Sequence, residues 1–172
     1  MNIAATERLR LRTIDVSDAA FYLELLNSAE FIANIGDRKI RNLEAARKAI
    51  REGPLAMQAA RGHSIYLVEL KASGTPIGMS GLIKRDSLDE VDLGYAFLPD
   101  YFGNGNACEA ALAVLEHARK RVGLARVVAI TSPGNTASNR VLGKVGMRFD
   151  KIVHRTTGDT GTRLYVIDLV FA

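Results

Sequence analysis

The chain has 172 residues, of which 48% are hydrophobic and 24% are charged, and its formal net charge at pH 7 is +4. This composition is ordinary for a soluble globular protein, and the length favours a single domain over residues 1–172 with a core large enough to fold alone. The basic residues are scattered among acidic ones, so no arm or patch typical of a nucleic-acid-binding protein stands out.

Cysteine usage and hydropathy limit the cellular context. Cys108 is the only cysteine, which excludes an internal disulfide and is consistent with a reducing compartment. The N-terminus lacks the apolar stretch of a signal peptide. No apolar run reaches the roughly 20 residues needed to span a bilayer. We therefore expect a cytoplasmic protein without a membrane partner.

The first third of the chain predicts a strand followed by helices. Leucines alternate with arginines over residues 8–13, which predicts an opening strand with one solvated face. Ser17 or Asp18 is the candidate N-cap of a first helix. A second helix is expected to begin at Asn42 and to end at Gly53-Pro54.

Six further strands and two further helices are expected in the rest of the chain. The strands are predicted at residues 63–70, 77–84, 91–98, 125–131, 147–154 and 164–170, and the helices after Gly105 and after Asn135. A tight turn joins the first two of these strands, which indicates a hairpin. This order predicts an α/β fold of the α+β type around a mixed sheet, and not the regular alternation of a doubly wound nucleotide-binding fold.

The turn between the strand ending near Phe97 and the following helix carries the most information. Gly103 and Gly105 flank Asn104 at this junction. Glycines allow backbone shapes in which several N–H groups converge at a helix N-terminus, where an anionic phosphate binds well. Taken alone, the spacing is equally compatible with a plain tight turn.

An acid inside a strand is the second notable feature. Alternation puts Asp92, Gly94 and Ala96 on one face of the strand at 91–98, so a carboxylate lies beside two residues too small to fill space. Aspartate is depleted in strands. Asp92 could accept a proton from a substrate, directly or through one water, or it could be a rim acid paired with one of the many arginines.

The helix after Asn135 offers a hydroxyl that is expected to face inward. Ser138 falls on one helical stripe with Val141, Leu142 and Val145. Its hydroxyl could bond or protonate a ligand thiol, or it could bond the carbonyls of its own helix. Asn135 could be an ordinary N-cap or could hold a ligand amide.

Other reactive side chains fit structural roles better. Cys108 lies on the buried side of the helix after the glycine turn and lacks an evident histidine partner, which is typical of a core thiol. The three histidines have no metal-ligand spacing, so we expect no metal site. No Ser-His-Asp or P-loop lysine motif is present.

Four segments, in this order and at this spacing, resemble the GNAT family of N-acetyltransferases, and most of all its RimJ/RimL-type branch of ribosomal-protein N-terminal acetyltransferases. The similarity runs over nearly the whole chain. The segments are Thr6-Glu7-Arg8-Leu9-Arg10-Leu11-Arg12, Asp92-Leu93-Gly94-Tyr95, Pro99-Asp100-Tyr101-Phe102-Gly103-Asn104-Gly105, and Asn135-Thr136-Ala137-Ser138-Asn139-Arg140-Val141-Leu142 with Lys144-Val145-Gly146-Met147.

The resemblance implies a twisted, mostly antiparallel sheet of about seven strands, with helices on both faces and splayed fourth and fifth strands that admit acetyl-CoA. It implies an acetyl-CoA-dependent N-acetyltransferase that uses no metal. The residues that it implies in cofactor binding, through backbone or side chain, are Phe97, Leu98, Gly103, Asn104, Gly105, Asn106, Ala107, Asn135, Asn139 and Arg140.

For catalysis, the resemblance implies that Asp92 is the general base and that Ser138 is the proton donor to the departing thiolate. The amine must be neutral before it attacks the thioester, and no covalent enzyme intermediate is needed. Leu142 and Asp92 are among the residues that depart from the family pattern. Leu142 stands where many members carry a tyrosine acid, so Ser138 or water must supply that proton. Asp92 is one methylene shorter than the commoner glutamate, which favours proton transfer through water.

The acceptor stays open between two kinds of primary amine, the N-terminal α-amine of a protein and a small-molecule amine. An acidic run before Asp92 slightly favours a cationic acceptor. The protein could be a monomer or a homodimer. The alternative function is a non-catalytic acyl-CoA-binding or regulatory module of the same fold.

Overall fold

The computed structural model describes residues 1–170 and contains one sheet of eight strands. The strands are β1 (Asn2–Ala5), β2 (Leu9–Thr13), β3 (Ile65–Leu70), β4 (Pro76–Ile83), β5 (Asp92–Phe97), β6 (Arg126–Thr131), β7 (Arg148–Val153) and β8 (Thr162–Asp168). Their order across the sheet is β1-β2-β3-β4-β5-β6-β8-β7. Within this sheet β5 and β6 run parallel, and the other neighbours are antiparallel.

Residues 1–170 contain six α-helices, and helices lie on both faces of the sheet. They are α1 (Ala19–Leu26), α2 (Ala29–Asn34), α3 (Leu43–Ile50), α4 (Ala56–Arg61), α5 (Asn106–His117) and α6 (Thr136–Lys144). Side chains of α1 and α3 pack on Leu67 and Met79, whereas those of α5 and α6 pack with Tyr66 and Val68. Adjacent residues of a strand point to opposite faces, so the two clusters lie on opposite sides of the sheet. The predicted fold class is therefore confirmed.

Most predicted elements are present, with one strand more than expected. The additional strand is β1, which pairs with β2 at the edge of the sheet. The short helix α2 was also not expected, and Ser28 caps it by accepting a hydrogen bond from the Phe31 N–H. Asn42 caps α3 in the same way, through the Ala45 N–H, as the sequence predicted.

One local prediction in the helical region was wrong. Gly53-Pro54 does not end the helix, because a wider π-helical turn at Arg51–Leu55 carries the chain past the proline and into α4. Of the two N-cap candidates, Asp18 occupies the N-cap position of α1, although its side chain forms no capping hydrogen bond to that helix. Asp15 instead caps a short 3₁₀ turn before α1, and the Asp18 carboxylate bonds back to the Asp15 N–H.

The sheet opens between β5 and β6, as the family resemblance implied for its central strands. These strands pair at Asp92 and Val128, and the Val128 N–H donates to the Val91 carbonyl at 3.0 Å. By contrast, β4 and β5 pair at six positions. The gap begins directly after Asp92, and it is the feature that positions the candidate site.

Candidate active site

The turn before α5 has the backbone shape that the sequence predicted. Gly103 and Gly105 have φ angles of +76° and +78°, in the left-handed region that favours glycine. Gly105 is also the N-cap residue of α5, and among residues 1–170 no side chain caps this helix end. The first N–H groups of a helix lack partners within it and carry partial positive charge. This end of α5 can therefore hold an anion.

The surroundings of the turn fit a phosphate. A Cβ atom built on Gly103 would have no neighbour within 4 Å, and one on Gly105 would meet only the Arg8 guanidinium, at 3.5 Å. The Asn106 side chain is buried and donates to the Tyr101 carbonyl at 3.1 Å, so Asn106 can offer its backbone N–H. A pyrophosphate held by backbone groups of residues 103–107 is compatible with this arrangement.

At the end of β5, the backbone groups of Phe97 and Leu98 differ in whether they already have hydrogen-bond partners. The Leu98 N–H donates to the Ile77 carbonyl at 2.9 Å, and the Leu98 carbonyl accepts from the Tyr101 N–H at 3.0 Å. Backbone groups of successive strand residues point to opposite sides. Those of Phe97 therefore point into the gap between β5 and β6. Phe97, and not Leu98, has a free edge for an extended ligand.

Asp92 is a buried carboxylate with one bonded and one free oxygen. The whole residue is only 1% exposed to solvent. The Arg85 Nε donates to Oδ2 at 2.6 Å, and Oδ1 has no hydrogen-bond partner within the described part of the chain. Burial raises the pKa of Asp92 to about 6, against the opposing effects of Arg85, of the Arg155 charge and of the Ile130 backbone N–H, which lies near the carboxylate without forming a hydrogen bond of standard geometry. Asp92 is paired with an arginine, as one interpretation expected, but it is buried in a central strand and not at a rim. Its role as a proton acceptor stays a prediction.

Ser138 faces inward and contacts a tyrosine. Its Oγ lies 2.7 Å from the hydroxyl oxygen of Tyr95 on β5. Burial is the main cause that raises the pKa of Tyr95 to about 12, so the phenol keeps its proton at neutral pH. The sequence patterns did not single out Tyr95 as functional. The available signal was its position on the face of β5 opposite Asp92.

The carboxylate and the hydroxyl pair lie on opposite faces of the sheet. Asp92 is in register with Val128, which packs with Leu88 away from α5 and α6. Tyr95 packs with the core cluster under α5 and α6. Asp92 and Tyr95 both belong to β5, the strand that borders the gap. A group that occupies it could contact a proton acceptor from one face and a proton donor from the other.

The start of α6 contains three more residues implied by the resemblance. The Asn135 Oδ1 accepts from the Ser138 N–H at 3.2 Å, which makes it the N-cap. The Asn139 Oδ1 accepts from the hydroxyls of Thr131, at 2.5 Å, and Tyr165, at 3.2 Å. The side chain of Arg140 is exposed. Asn139 thus ties α6 to β6 and β8.

Other candidate chemistries find little support in residues 1–170. Cys108 is half-buried and packs against the core, as the sequence predicted. No group of three or more His, Cys, Asp or Glu side chains could hold a metal ion in this part of the chain. The helices of the same region are all too short or too polar to cross a membrane.

Comparison with known proteins identifies the family. The family model described as the GNAT acetyltransferase domain matches residues 8–148. YoaA of Bacillus subtilis, an uncharacterized N-acetyltransferase, is 28% identical over 162 residues, covering 93% of this chain and 90% of its own length. YkkB, an uncharacterized protein of the same organism, is 28% identical over 153 residues, covering 87% of each chain.

Solved structures agree with this assignment. An acetyltransferase from Agrobacterium tumefaciens superposes with a TM-score of 0.82 at 25% identity, covering 97% of this chain and 94% of its own. RimL, an α-N-protein acetyltransferase of ribosomal L7/L12 in complex with coenzyme A, shares the fold with a TM-score of 0.84 at 19% identity, covering 98% of each chain. The chain belongs to the GNAT family and is an acetyl-CoA-dependent N-acetyltransferase.

Proposed function

We propose that residues 1–172 act as one domain that transfers the acetyl group of acetyl-CoA to a primary amine in the gap between β5 and β6. Asp92 would act as the proton acceptor, and Ser138 with Tyr95 as the proton donor. The observation that carries this proposal is the buried Asp92 carboxylate with a free Oδ1 beside the gap, together with a Ser138–Tyr95 hydroxyl pair 2.7 Å apart on the other face of the sheet.

The cofactor would be held mainly by backbone groups. N–H groups of Gly103, Asn104, Gly105, Asn106 and Ala107 would bind the pyrophosphate. The exposed backbone edge of Phe97 would bind the pantetheine arm. Bound there, acetyl-CoA supplies an acetyl thioester whose carbonyl carbon is open to attack by an amine.

Residues at the start of α6 would contribute in different ways. Asn135 would contact the pantetheine, and Arg140 would contact the pantetheine or the nucleotide end. Asn139 would act by anchoring α6, because its Oδ1 already accepts from Thr131 and Tyr165. Leu98 would support the turn and not the ligand, because both its backbone groups are engaged.

Arg85 binds one of the two carboxylate oxygens of Asp92 and leaves the other available. It occupies Oδ2, so the free Oδ1 is the atom that would accept a proton from the incoming ammonium through one water. The raised pKa makes Asp92 a better proton acceptor than an ordinary aspartate, while leaving it ionised above about pH 6.

The pH dependence of the rate tests this role of Asp92. We expect the ratio of kcat/KM for wild type to that for Asp92→Asn to rise about tenfold per pH unit below pH 6 and to level off above it, because only the ionised carboxylate accepts a proton. Taking the ratio cancels the titration of the acceptor amine. A ratio that is constant between pH 5 and pH 7 would contradict the proposal.

The proton donor can be tested with a double-mutant cycle. Because Ser138 and Tyr95 share one hydrogen bond, Ser138→Ala and Tyr95→Phe are each expected to lower kcat by on the order of 10- to 100-fold. The double variant should lose little more than the worse single variant, since the two groups act as a unit. Steady-state rates at saturating acetyl-CoA measure this. Fully additive losses would mean that the hydroxyls act separately.

The acceptor that we favour is the N-terminal α-amine of a protein, with a small-molecule amine as the second candidate. The fold neighbour RimL, which is described as an α-N-protein acetyltransferase, supports the first. Asp86, Asp89 and Glu90 precede Asp92 and would favour a cationic acceptor of either kind. Rates on matched peptides and polyamines would decide the acceptor class.

We further propose a cytoplasmic protein, since its single cysteine fits a reducing compartment.

A further inference from the structure

Residues 6–8, which precede and begin the approach to β2, contact the start of α5. Glu109, in the first turn of α5, accepts a hydrogen bond from the Thr6 hydroxyl at 2.5 Å and from the Arg8 backbone N–H at 3.0 Å. The Arg8 guanidinium binds the other carboxylate oxygen through Nε and Nη2, each at 2.7 Å. These hydrogen bonds connect the N-terminal end of β2 to α5, the helix that follows the glycine turn.

The same guanidinium also reaches the turn itself. The Arg8 Nη1 donates to the Asn104 carbonyl at 2.9 Å. In a trans peptide the C=O group and the following N–H point in opposite directions. A carbonyl of Asn104 that is held toward Arg8 therefore turns the Gly105 N–H away from Arg8, to the other side of the turn. The rigid, planar fork of arginine suits such a bridge between a carboxylate and a carbonyl.

The charge of Glu109 needs an explanation at this position. Burial alone would raise its pKa, but the bonds from Thr6 and Arg8 outweigh burial and lower the pKa of Glu109. The residue is therefore an anion at neutral pH, one turn from the proposed pyrophosphate site. By charge alone it would repel the phosphates. Its contacts indicate that it serves to hold Arg8.

We propose that Arg8 is a positioning residue for coenzyme A binding, anchored by Glu109, and that its bond to the Asn104 carbonyl directs the N–H groups of the glycine turn toward the pyrophosphate. The proposal rests on the proposed assignment of residues 103–107 to the pyrophosphate. It concerns the shape of the turn and requires no direct contact between Arg8 and the phosphates.

Calorimetric titration of coenzyme A into Arg8→Lys and Glu109→Gln variants tests the proposal. Each variant is expected to raise the Kd for coenzyme A by about tenfold. In neither variant can the side chains at positions 8 and 109 together hold the Asn104 carbonyl as Arg8 and Glu109 do in the wild type. The KM for acetyl-CoA should rise similarly, and kcat should change by less than about twofold. Affinity for pantetheine, which lacks the pyrophosphate, should stay at the wild-type value.

Two control variants remove surface ion pairs remote from the turn. Arg126→Ala breaks the pair with Asp168, and Glu116→Gln breaks the pair with Lys120 at the far end of α5. Both should bind coenzyme A as the wild type does. The double variant of Arg8 and Glu109 should bind no more weakly than Arg8→Lys alone.

The sign of the Glu109→Gln effect separates positioning from simple charge. Tighter coenzyme A binding by this variant would overturn the proposal, because it would mean that the carboxylate only repels phosphate. Wild-type affinity in Arg8→Lys, or an equal loss of coenzyme A and pantetheine affinity, would also overturn it. If the wild type itself binds pantetheine as tightly as coenzyme A, the pyrophosphate assignment fails instead, which is a distinct result.

Discussion

Replacing Asp92 with asparagine is expected to lower kcat/KM for the amine acceptor by at least about 100-fold, the usual contribution of a general base. Asparagine has nearly the same shape but cannot accept a proton at neutral pH. The proposed coenzyme A site consists of other residues, so the Kd for coenzyme A should not change. Steady-state kinetics and calorimetry on the same preparation measure both quantities.

The same variant should not lose stability. The folded-state pKa of Asp92 is about 6, above its ordinary value of 3.8, so folding disfavours the ionised form. The stability that comes from the neutral form is complete below about pH 4 and is lost as the pH rises through 6. At neutral pH the Tm of Asp92→Asn should equal or exceed that of wild type, and this advantage should shrink toward pH 4.

An exposed acid on β7 supplies the control for Asp92. Asp150→Asn removes an equal charge from an exposed residue outside the proposed site and should leave both kcat/KM and Tm close to wild type. If Asp92→Asn retains wild-type kcat/KM, the carboxylate is not the base. If the Tm of Asp92→Asn falls steeply at neutral pH, the ion pair with Arg85 stabilises the fold by more than the burial of the Asp92 charge destabilises it.

Replacing Gly105 with valine is expected to weaken coenzyme A binding by more than about tenfold. The residue has a φ of +78°, where a side chain costs roughly 1–2 kcal/mol, and a branched side chain would also cover the N–H groups at the start of α5. The fold should persist, because the nearest protein atom to a Cβ at this position is 3.5 Å away, on Arg8.

Gly123 offers a matched control for this substitution. It has a φ of +80°, no neighbour within 4 Å of a built Cβ, and a position beyond the other end of α5. Gly123→Val should lower the free energy of unfolding by a similar amount to Gly105→Val and leave the Kd for coenzyme A unchanged. Equal coenzyme A affinities of the two variants would show that the glycine turn does not bind the pyrophosphate.

Features that depend on neighbouring residues could be predicted from the sequence. Alternation in β5 assigned Asp92 to one face and Tyr95 to the other, because strand side chains alternate regardless of what packs on them. Helical spacing predicted that Ser138 faces inward. Gly103 and Gly105 were assigned to a turn on their backbone freedom, and both have positive φ.

Features that depend on long-range packing could not be predicted. Tyr95 and Ser138 are 43 residues apart, and they meet only because α6 packs against β6 and α5. The many arginines gave no reason to choose Arg85 as the partner of Asp92, since that pair forms only when the loop before β5 folds back. Proline ordinarily ends a helix, but here a π-helical turn carries the helical chain past Pro54.

The most direct test of the central claim is the release of free coenzyme A thiol from saturating acetyl-CoA, followed with and without amines. The panel should contain peptides with free N-termini, their N-acetylated forms, and small polyamines. We predict thiol release that depends on a free amine and equals, mole for mole, the acetylated amine formed. Tight acetyl-CoA binding with no amine-dependent release across the panel would contradict catalysis and identify a binding module.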